Sequence, residues 1–188
     1  MRIVVLEPLG LEDEKVRSIA GKIIGEGHEL VTYKDKVEDI DVLKKRASGA
    51  DILVIANMPL KGEVINSVEN LKMISVAFTG VDHVDIKACR ERNIAVCNAA
   101  GYSTSSVAEL TYGLIFSVLR NIVPLDKATR EGRTKTNYSQ NDLSGKTIGI
   151  VGTGAIGTKV AEIAKVFGCN VLAYSRSKKA ETLHPKTL

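Results

Sequence analysis

The stretch that decides the fold is IGIVGTGAIGTKV, residues 148–160. The apolar start of this stretch, together with the preceding Lys146 and Thr147, is typical of a β-strand. In TKVAEIAKVFG, residues 158–168, the apolar residues have the spacing of a helix. A second apolar run, NVLAYS, follows at residues 170–175. The stretch therefore predicts a strand–helix–strand unit. Three glycines in the pattern G-x-G-x-x-G join its first strand to its helix: Gly152, Gly154 and Gly157.

Each glycine of this loop has a physical reason to lack a side chain. Gly152 allows a sharp turn out of the strand, Gly154 lets the backbone approach a pyrophosphate, and Gly157 lets the helix pack closely on the strand. The first N–H groups of the helix, at Ala155 and Ile156, then point towards phosphate oxygens. The loop predicts a dinucleotide site, and the alternative is a tight turn without a ligand.

The end of the second strand favours one dinucleotide over the other. An acid here hydrogen-bonds the ribose 2′-hydroxyl of NAD, but this position is Ser175, and Arg176 follows it. Two more cations are close, Lys178 and Lys179. A guanidinium suits a 2′-phosphate, so we expect NAD(P) binding with NADP slightly favoured. The alternative is that Arg176 is a solvated surface charge.

Upstream of the loop, the first hundred residues alternate strand-like and helix-like segments. The strands are continuous apolar runs, which indicates a parallel sheet covered on both faces, and five of them make a domain of flavodoxin-like size. The predicted fold class is α/β, with a flavodoxin-like domain followed by a Rossmann unit. The expected strands cover residues 2–7, 28–33, 51–56, 72–78 and 94–99, and the expected helices cover residues 13–27, 37–49, 62–68 and 85–93.

A long helix and a polar stretch connect the two parts. The helix over Val107–Leu119 is apolar nearly all round, so we expect burial on several sides, by this chain or by a partner chain. Hydroxyl side chains at residues 103–105 can cap its start. Residues 126–142 are polar with little periodicity, which predicts an exposed connection and a domain boundary.

Composition excludes several classes of function. The net charge of +4 comes from scattered cations, which argues against nucleic-acid binding. No apolar run approaches the ~20 residues that span a bilayer, and the N-terminus lacks a signal-peptide pattern. The three cysteines match no metal or redox spacing and predict buried thiols in the reducing cytoplasm. They are Cys89, Cys97 and Cys169.

Together these residues resemble the D-isomer-specific 2-hydroxyacid dehydrogenases, a family that includes phosphoglycerate dehydrogenase, glyoxylate and hydroxypyruvate reductases and D-lactate dehydrogenase. The resemblance rests on FTGVDHVDIKACRERNIAVCNAAGYSTSSVAEL, on REGR and on LSGKTIGIVGTGAIGTKVAEIAKVFGCNVLAYSRS, in the family's order and spacing. It implies a substrate domain over residues 1–98, a crossover helix and arm over 99–142, and the start of the cofactor domain over 143–188. It also implies a homodimer through the helix at residues 105–120.

The resemblance further implies which residues meet the substrate, a small 2-keto or 2-hydroxy acid. Backbone N–H groups of Thr79, Gly80 and Val81 would hold its carboxylate, and the segment starting at Asn57 would flank the same cleft. Val107 would lie near the nicotinamide. Ligands collect at the carboxyl ends of parallel strands, which suits the loop at 79–81. The alternative for each is an ordinary turn or core contact.

The family's catalytic arginine, glutamate and histidine lie downstream of the second cofactor strand, so we expect none of them in this chain. The sequence has three histidines, His28, His83 and His184, and none has the family's surrounding motif. His83 is interpreted as a turn residue. Only two strands of the cofactor domain are expected, where a complete fold has about six. We therefore expect a fragment of a longer protein that is inactive alone.

Three functions follow in order of preference. The first is an oxidoreductase that acts on CH–OH groups with NAD or NADP, a D-2-hydroxyacid dehydrogenase or 2-keto acid reductase. The second is a non-catalytic nucleotide-binding or dimerisation module. The third is another enzyme of the same two-domain plan, such as a formate dehydrogenase or an adenosylhomocysteinase-like protein, which the segments SVAEL and GKTIGIVGTGAIG favour less.

Overall fold

The structure of the protein, a computed structural model, describes residues 1–176. Residue contacts divide the chain into two compact units, Met1–Ala100 and Gly101–Leu188. The division falls two residues beyond the expected end of the substrate domain. The assignment of the units as substrate and cofactor domains stays a prediction.

The first unit is a five-stranded parallel sheet with the strand order β2-β1-β3-β4-β5. Each strand is joined to the next by a helix, so the predicted α/β fold with flavodoxin-like topology is confirmed. The strands are β1 (Arg2–Val5), β2 (Glu29–Thr32), β3 (Ile52–Ile55), β4 (Met73–Val76) and β5 (Ala95–Asn98). The helices are α1 (Asp13–Ile24), α2 (Ile40–Ala47), α3 (Gly62–Ser67) and α4 (Ile86–Glu91).

The core of this unit lies on the three inner strands. Val4, Leu53 and Ile74 are fully buried, and apolar side chains of α2, α3 and α4 pack in the same cluster. Burial of each such side chain contributes about 1.5–3 kcal/mol, so this layer stabilises the first unit.

The prediction of buried thiols is right for Cys89 but wrong for Cys97. Cys89 lies in the core cluster, and Cys169 of the second unit is partly buried. Cys97 is exposed because β5 is an edge strand with most of its residues uncovered. A continuous apolar run alone does not show which strand lies at the edge of a sheet.

As far as residue 176, the second unit contains two parallel strands and three helices. The strands β6 (Thr147–Val151) and β7 (Asn170–Tyr174) pair directly and run parallel. In the chain they are joined by α7 (Ala155–Val166), as the strand–helix–strand pattern predicts. Two further helices precede them, α5 (Thr104–Leu119) and α6 (Ile122–Arg130).

The long helix α5 packs against α7 through one side only. The buried Tyr112 hydroxyl donates a hydrogen bond to the Val160 carbonyl oxygen at 2.6 Å, and its ring stacks with Phe116 and Phe167. Burial raises the pKa of Tyr112, so the hydroxyl stays a neutral donor. Four apolar side chains on another side of α5 are exposed: Val107, Leu110, Leu114 and Val118. Among the described residues, the burial of α5 is thus confined to one side, and cover of its other sides by a partner chain stays a prediction.

The helix α6 covers the first five of residues 126–142, which the sequence predicted to be an exposed connection with little periodicity, and so corrects that prediction there. Its apolar residues Ile122, Leu125 and Ala128 recur every three positions, and Ala128 is fully buried. Pro124 lies in the first turn, where a missing N–H costs nothing. The helix begins at Ile122, four residues before the polar stretch, so most of its apolar positions fall outside that stretch. The helical periodicity is therefore not visible in residues 126–142 alone.

Within residues 1–176, no single helix is long and apolar enough to cross a membrane. Only the pair α5 and α6, bent by 56° at their junction, reaches that length and apolarity together.

Candidate functional site

The glycine loop leaves β6 at Val151 and enters α7 at Ala155. Gly152 has a φ of +96°, a conformation that side-chain-bearing residues rarely adopt. Its N–H donates to the Tyr174 carbonyl oxygen at 2.7 Å, which ties the turn to the end of β7. The turn predicted at Gly152 is present for the expected steric reason.

Gly157 is the glycine of this loop with the least space for a side chain. A Cβ built on Gly157 would lie 2.0 Å from the Gly152 carbonyl oxygen and 3.3 Å from Cγ2 of Ile150. Cβ atoms essentially never come that close to backbone, so this position requires glycine. The contact brings the first turn of α7 against the end of β6.

Gly154 differs from Gly157, because a Cβ there would meet no atom within 4 Å. The backbone at Gly154 is extended, with a φ of −72° and a ψ of −170°, so the fold itself does not require glycine. The N–H groups of Ala155 and Ile156 donate to no acceptor within residues 1–176. An open space beside unpaired donors at a helix N-terminus fits an anionic group such as a pyrophosphate.

The carboxyl end of β7 lies beside this loop. Val151 pairs with Tyr174 in the sheet, so the next residues of the two strands, Gly152 and Ser175, lie at the same level. Arg176 follows directly after Ser175. Ser175 is partly exposed and Arg176 is exposed. Lys178 and Lys179, the other cations predicted near this end, lie outside the described residues.

In the first unit, the predicted substrate residues follow the strands at the carboxyl edge of the sheet. Asn57 follows β3, and the segment Thr79-Gly80-Val81 follows β4. The N–H groups of Gly80 and Val81 donate to no acceptor in the described part of the chain. These two donors can hold an oxygen of a ligand.

Three residues at this edge were missed by sequence reasoning. The Asn98 side chain, at the end of β5, donates to the Thr79 carbonyl oxygen at 2.6 Å and holds the 79–81 segment. The carboxylate of Glu7 accepts bonds from backbone N–H groups on either side of Asn57, and Lys36 contacts the Asn57 side chain. A polar residue directly after an apolar strand is the signal that could have identified Glu7 and Asn98.

The remaining predicted residues are placed as follows. Val107 lies in the first turns of α5 and is 39% exposed, so its side chain is accessible to a ligand. His83 lies in a turn, and its buried Nε2 has no hydrogen-bond partner among residues 1–176. His28 is exposed, and His184 lies outside the described residues.

Comparison with known proteins gives a family match over nearly the whole chain. The model of the D-isomer specific 2-hydroxyacid dehydrogenase catalytic domain matches residues 3–183. D-3-phosphoglycerate dehydrogenase of Methanocaldococcus jannaschii is 35% identical over 176 residues, which cover 93% of this chain and 32% of that protein.

Two solved structures are similar in fold. An acyclic imino acid reductase in complex with NADPH and D-Arg has a TM-score of 0.85 at 26% identity, with 98% of this chain and 60% of that chain covered. NAD+-bound 3-phosphoglycerate dehydrogenase of Entamoeba histolytica has a TM-score of 0.76 at 29% identity, with 97% and 56% covered. The chain thus spans less than two thirds of each of these relatives.

Proposed function

Because this chain belongs to the family of D-isomer specific 2-hydroxyacid dehydrogenases, we propose that it carries the dinucleotide loop and part of the substrate site of an NAD(P)-dependent D-2-hydroxyacid dehydrogenase. The observation that carries the proposal is the loop at Gly154, where open space and the unpaired N–H groups of Ala155 and Ile156 fit a pyrophosphate. Gly152 and Gly157 shape that loop, and Ser175 and Arg176 border it.

When bound, the nicotinamide supplies or accepts the hydride. The first unit contributes the backbone N–H groups of Gly80 and Val81, which hold one end of a small 2-keto acid. The segment containing Asn57 flanks that substrate, and Val107 lies against the nicotinamide. We propose that the acid–base residues lie outside residues 1–176. In the described part of the chain, neither the His28 nor the His83 side chain pairs with a carboxylate.

The proposed activity is tested by NADPH-linked reduction of glyoxylate, hydroxypyruvate and pyruvate, followed by absorbance. The protein as its gene encodes it is expected to reduce at least one of these acids. Purified residues 1–188 are expected to reduce none of them, because we propose that the family's proton donor lies outside this stretch. Turnover by residues 1–188 would contradict the second expectation, and no turnover with any 2-keto acid would contradict the proposed activity.

We further propose that NADP is favoured over NAD. The exposed Arg176 guanidinium follows β7 beside the loop, and no carboxylate follows β7 up to that residue. A guanidinium pairs with a phosphate through charge-assisted hydrogen bonds, whereas a ribose hydroxyl gains little from it.

Arg176→Ala is expected to weaken NADPH binding about 30-fold, the loss of roughly 2 kcal/mol from one charge-assisted contact. NADH binding is expected to change by less than about 3-fold, since NADH has no 2′-phosphate. Calorimetric titration with both dinucleotides measures the two changes. Lys165→Ala removes the same charge from an exposed site on α7 and is the control. Equal losses for NADPH and NADH would refute the role of Arg176.

We also propose a homodimer through α5. Val107, Leu110, Leu114 and Val118 recur every three or four residues and are 39–76% exposed, so they form one apolar stripe along the helix.

The reducing cytoplasm is the compartment we propose, because all three cysteines are free.

Leu114→Glu is expected to convert a dimer to a monomer, because the carboxylate would be buried without a partner in the interface. Sedimentation velocity measures the change in mass. Leu11→Glu introduces the same charge at a leucine outside α5 and should leave the dimer intact. The exposed fraction of Leu11 is 49%, close to the 59% of Leu114. A wild-type monomer, or a Leu114→Glu dimer, would contradict the α5 interface.

A further inference from the structure

We infer that Glu7 and Lys36 are positioning residues that orient Asn57, so that its side-chain NH2 is presented to an oxygen of the substrate. The inference rests on the proposed function and deepens it, because it names the donor at the β3 end of the site and the residues that hold it. Both residues act through Asn57, which is the residue proposed to meet the substrate.

Glu7 lies where the strand order of the sheet reverses. Two helical connections leave in opposite directions between β1 and β3, and ligands of open α/β sheets bind at such points. In this chain the Glu7 carboxylate occupies the point. Its Oε1 accepts hydrogen bonds from the N–H groups of Ala56 at 2.7 Å and Met58 at 2.8 Å.

The burial of Glu7 makes these bonds obligatory. Its residue surface is 2% exposed, and a buried carboxylate without partners is strongly unfavourable. Charge-assisted bonds to two backbone N–H groups offset that cost and fix the peptide planes Ile55–Ala56 and Asn57–Met58. Asn57 therefore sits on a backbone segment clamped on both sides.

Lys36 fixes the side chain of Asn57. Its Nζ lies 3.9 Å from Oε2 of Glu7 and donates to Oδ1 of Asn57 at 3.1 Å. A lysine ammonium only donates hydrogen bonds, so the amide oxygen of Asn57 must face Lys36. The NH2 group must then face the other way.

The NH2 group of Asn57 is the exposed end of this arrangement. The residue is exposed, and within residues 1–176 its Nδ2 donates to no acceptor. Asn57 follows β3, and Gly80 and Val81 follow the neighbouring strand β4. A free donor at the end of one strand and two free N–H groups after the next suit a ligand with several acceptor oxygens, such as a 2-keto carboxylate. They do not suit a ligand that presents a donor at this place.

The inference is tested by steady-state kinetics of the protein as its gene encodes it. The varied substrate is glyoxylate, hydroxypyruvate or pyruvate, whichever the wild type reduces fastest. Asn57→Asp keeps an acceptor for Lys36 but replaces the donor by a second oxygen. It is expected to raise KM about 30-fold, with kcat changed less than about 3-fold. Lys36→Met releases the side-chain amide of Asn57 and is expected to raise KM about 10-fold. Lys36→Arg can still donate a hydrogen bond to that amide, so its KM should lie within about 3-fold of the wild-type value.

A second readout separates orientation of Asn57 from support of the fold. Hydrogen exchange at the N–H groups of Ala56 and Met58 should stay as in the wild type in Asn57→Asp and Lys36→Met, because Glu7 still holds them. Glu7→Ala should speed this exchange about 100-fold and raise KM as well. Lys22→Met, which removes an exposed charge of α1, should change neither quantity.

Wild-type KM in both Asn57→Asp and Lys36→Met would overturn the inference while leaving the proposed function intact. Faster exchange at Ala56 and Met58 in Lys36→Met would also overturn it, because the lysine would then support the loop and not the side chain. Absence of any 2-keto acid turnover in the wild type would instead overturn the proposed function, and the inference with it.

Discussion

Gly157→Ala is expected to lower the free energy of unfolding of the second unit by about 3 kcal/mol, the cost of forcing a methyl group into filled space. The methyl carbon would lie 2.0 Å from the Gly152 carbonyl oxygen. The same residue donates its N–H to the Tyr174 carbonyl oxygen, so the Gly152 oxygen cannot move aside without disturbing that hydrogen bond at the end of β7. Urea titration followed by hydrogen exchange in α7 peptides measures the change.

Gly149→Ala is the matched control for this substitution. Gly149 lies on β6, and a Cβ there would meet no atom within 4 Å. Its φ is not positive, so alanine is expected to change stability by no more than about 0.5 kcal/mol. Peptides of the first unit serve as an internal reference in both variants. Equal stability of Gly157→Ala and Gly149→Ala would contradict the close contact between α7 and β6.

Gly154→Val is expected to weaken NADPH binding by about 100-fold or more while the fold is kept. The side chain would enter the open space beside the N–H groups of Ala155 and Ile156 and exclude a pyrophosphate. Loss of hydrogen bonds to a charged group accounts for about 3 kcal/mol, which is roughly 100-fold in affinity. Calorimetric titration with NADPH measures the affinity.

The fold should tolerate this substitution because the backbone at Gly154 is extended and its surroundings are empty. Valine is a poor residue at the N-cap position, so a loss of about 1 kcal/mol in stability is expected. Gly149→Val places the same side chain on the exposed part of β6 and should bind NADPH as the wild type does. Unchanged affinity in Gly154→Val would show that the dinucleotide does not use this loop.

The glycine loop could be predicted from sequence because every determinant lies within ten residues. A strand, a turn and a helix follow one another directly, and the three glycines have distinct steric reasons that spacing alone reveals. The structure distinguishes them further, since Gly157 is required by the fold and Gly154 is not. Spacing predicts that Gly157 packs closely on the strand, and the structure adds which atoms surround that position.

The cluster at the carboxyl edge of the first sheet could not be predicted in the same way. Glu7 meets Ala56 and Met58 across 49 and 51 residues of chain, and Lys36 meets Asn57 across 21. Their contacts depend on β1 and β3 being neighbours, which follows from the strand order and not from local periodicity. The exposure of Cys97 was missed for the same reason, because only the strand order shows that β5 is an edge.

The most direct test of the central claim is a crystal structure of the protein with NADPH. The pyrophosphate oxygens are expected about 2.7–3.2 Å from the N–H nitrogens of Ala155 and Ile156, with no side chain between them and Gly154. A pyrophosphate bound elsewhere, with the loop between Val151 and Thr158 unoccupied, would contradict the account.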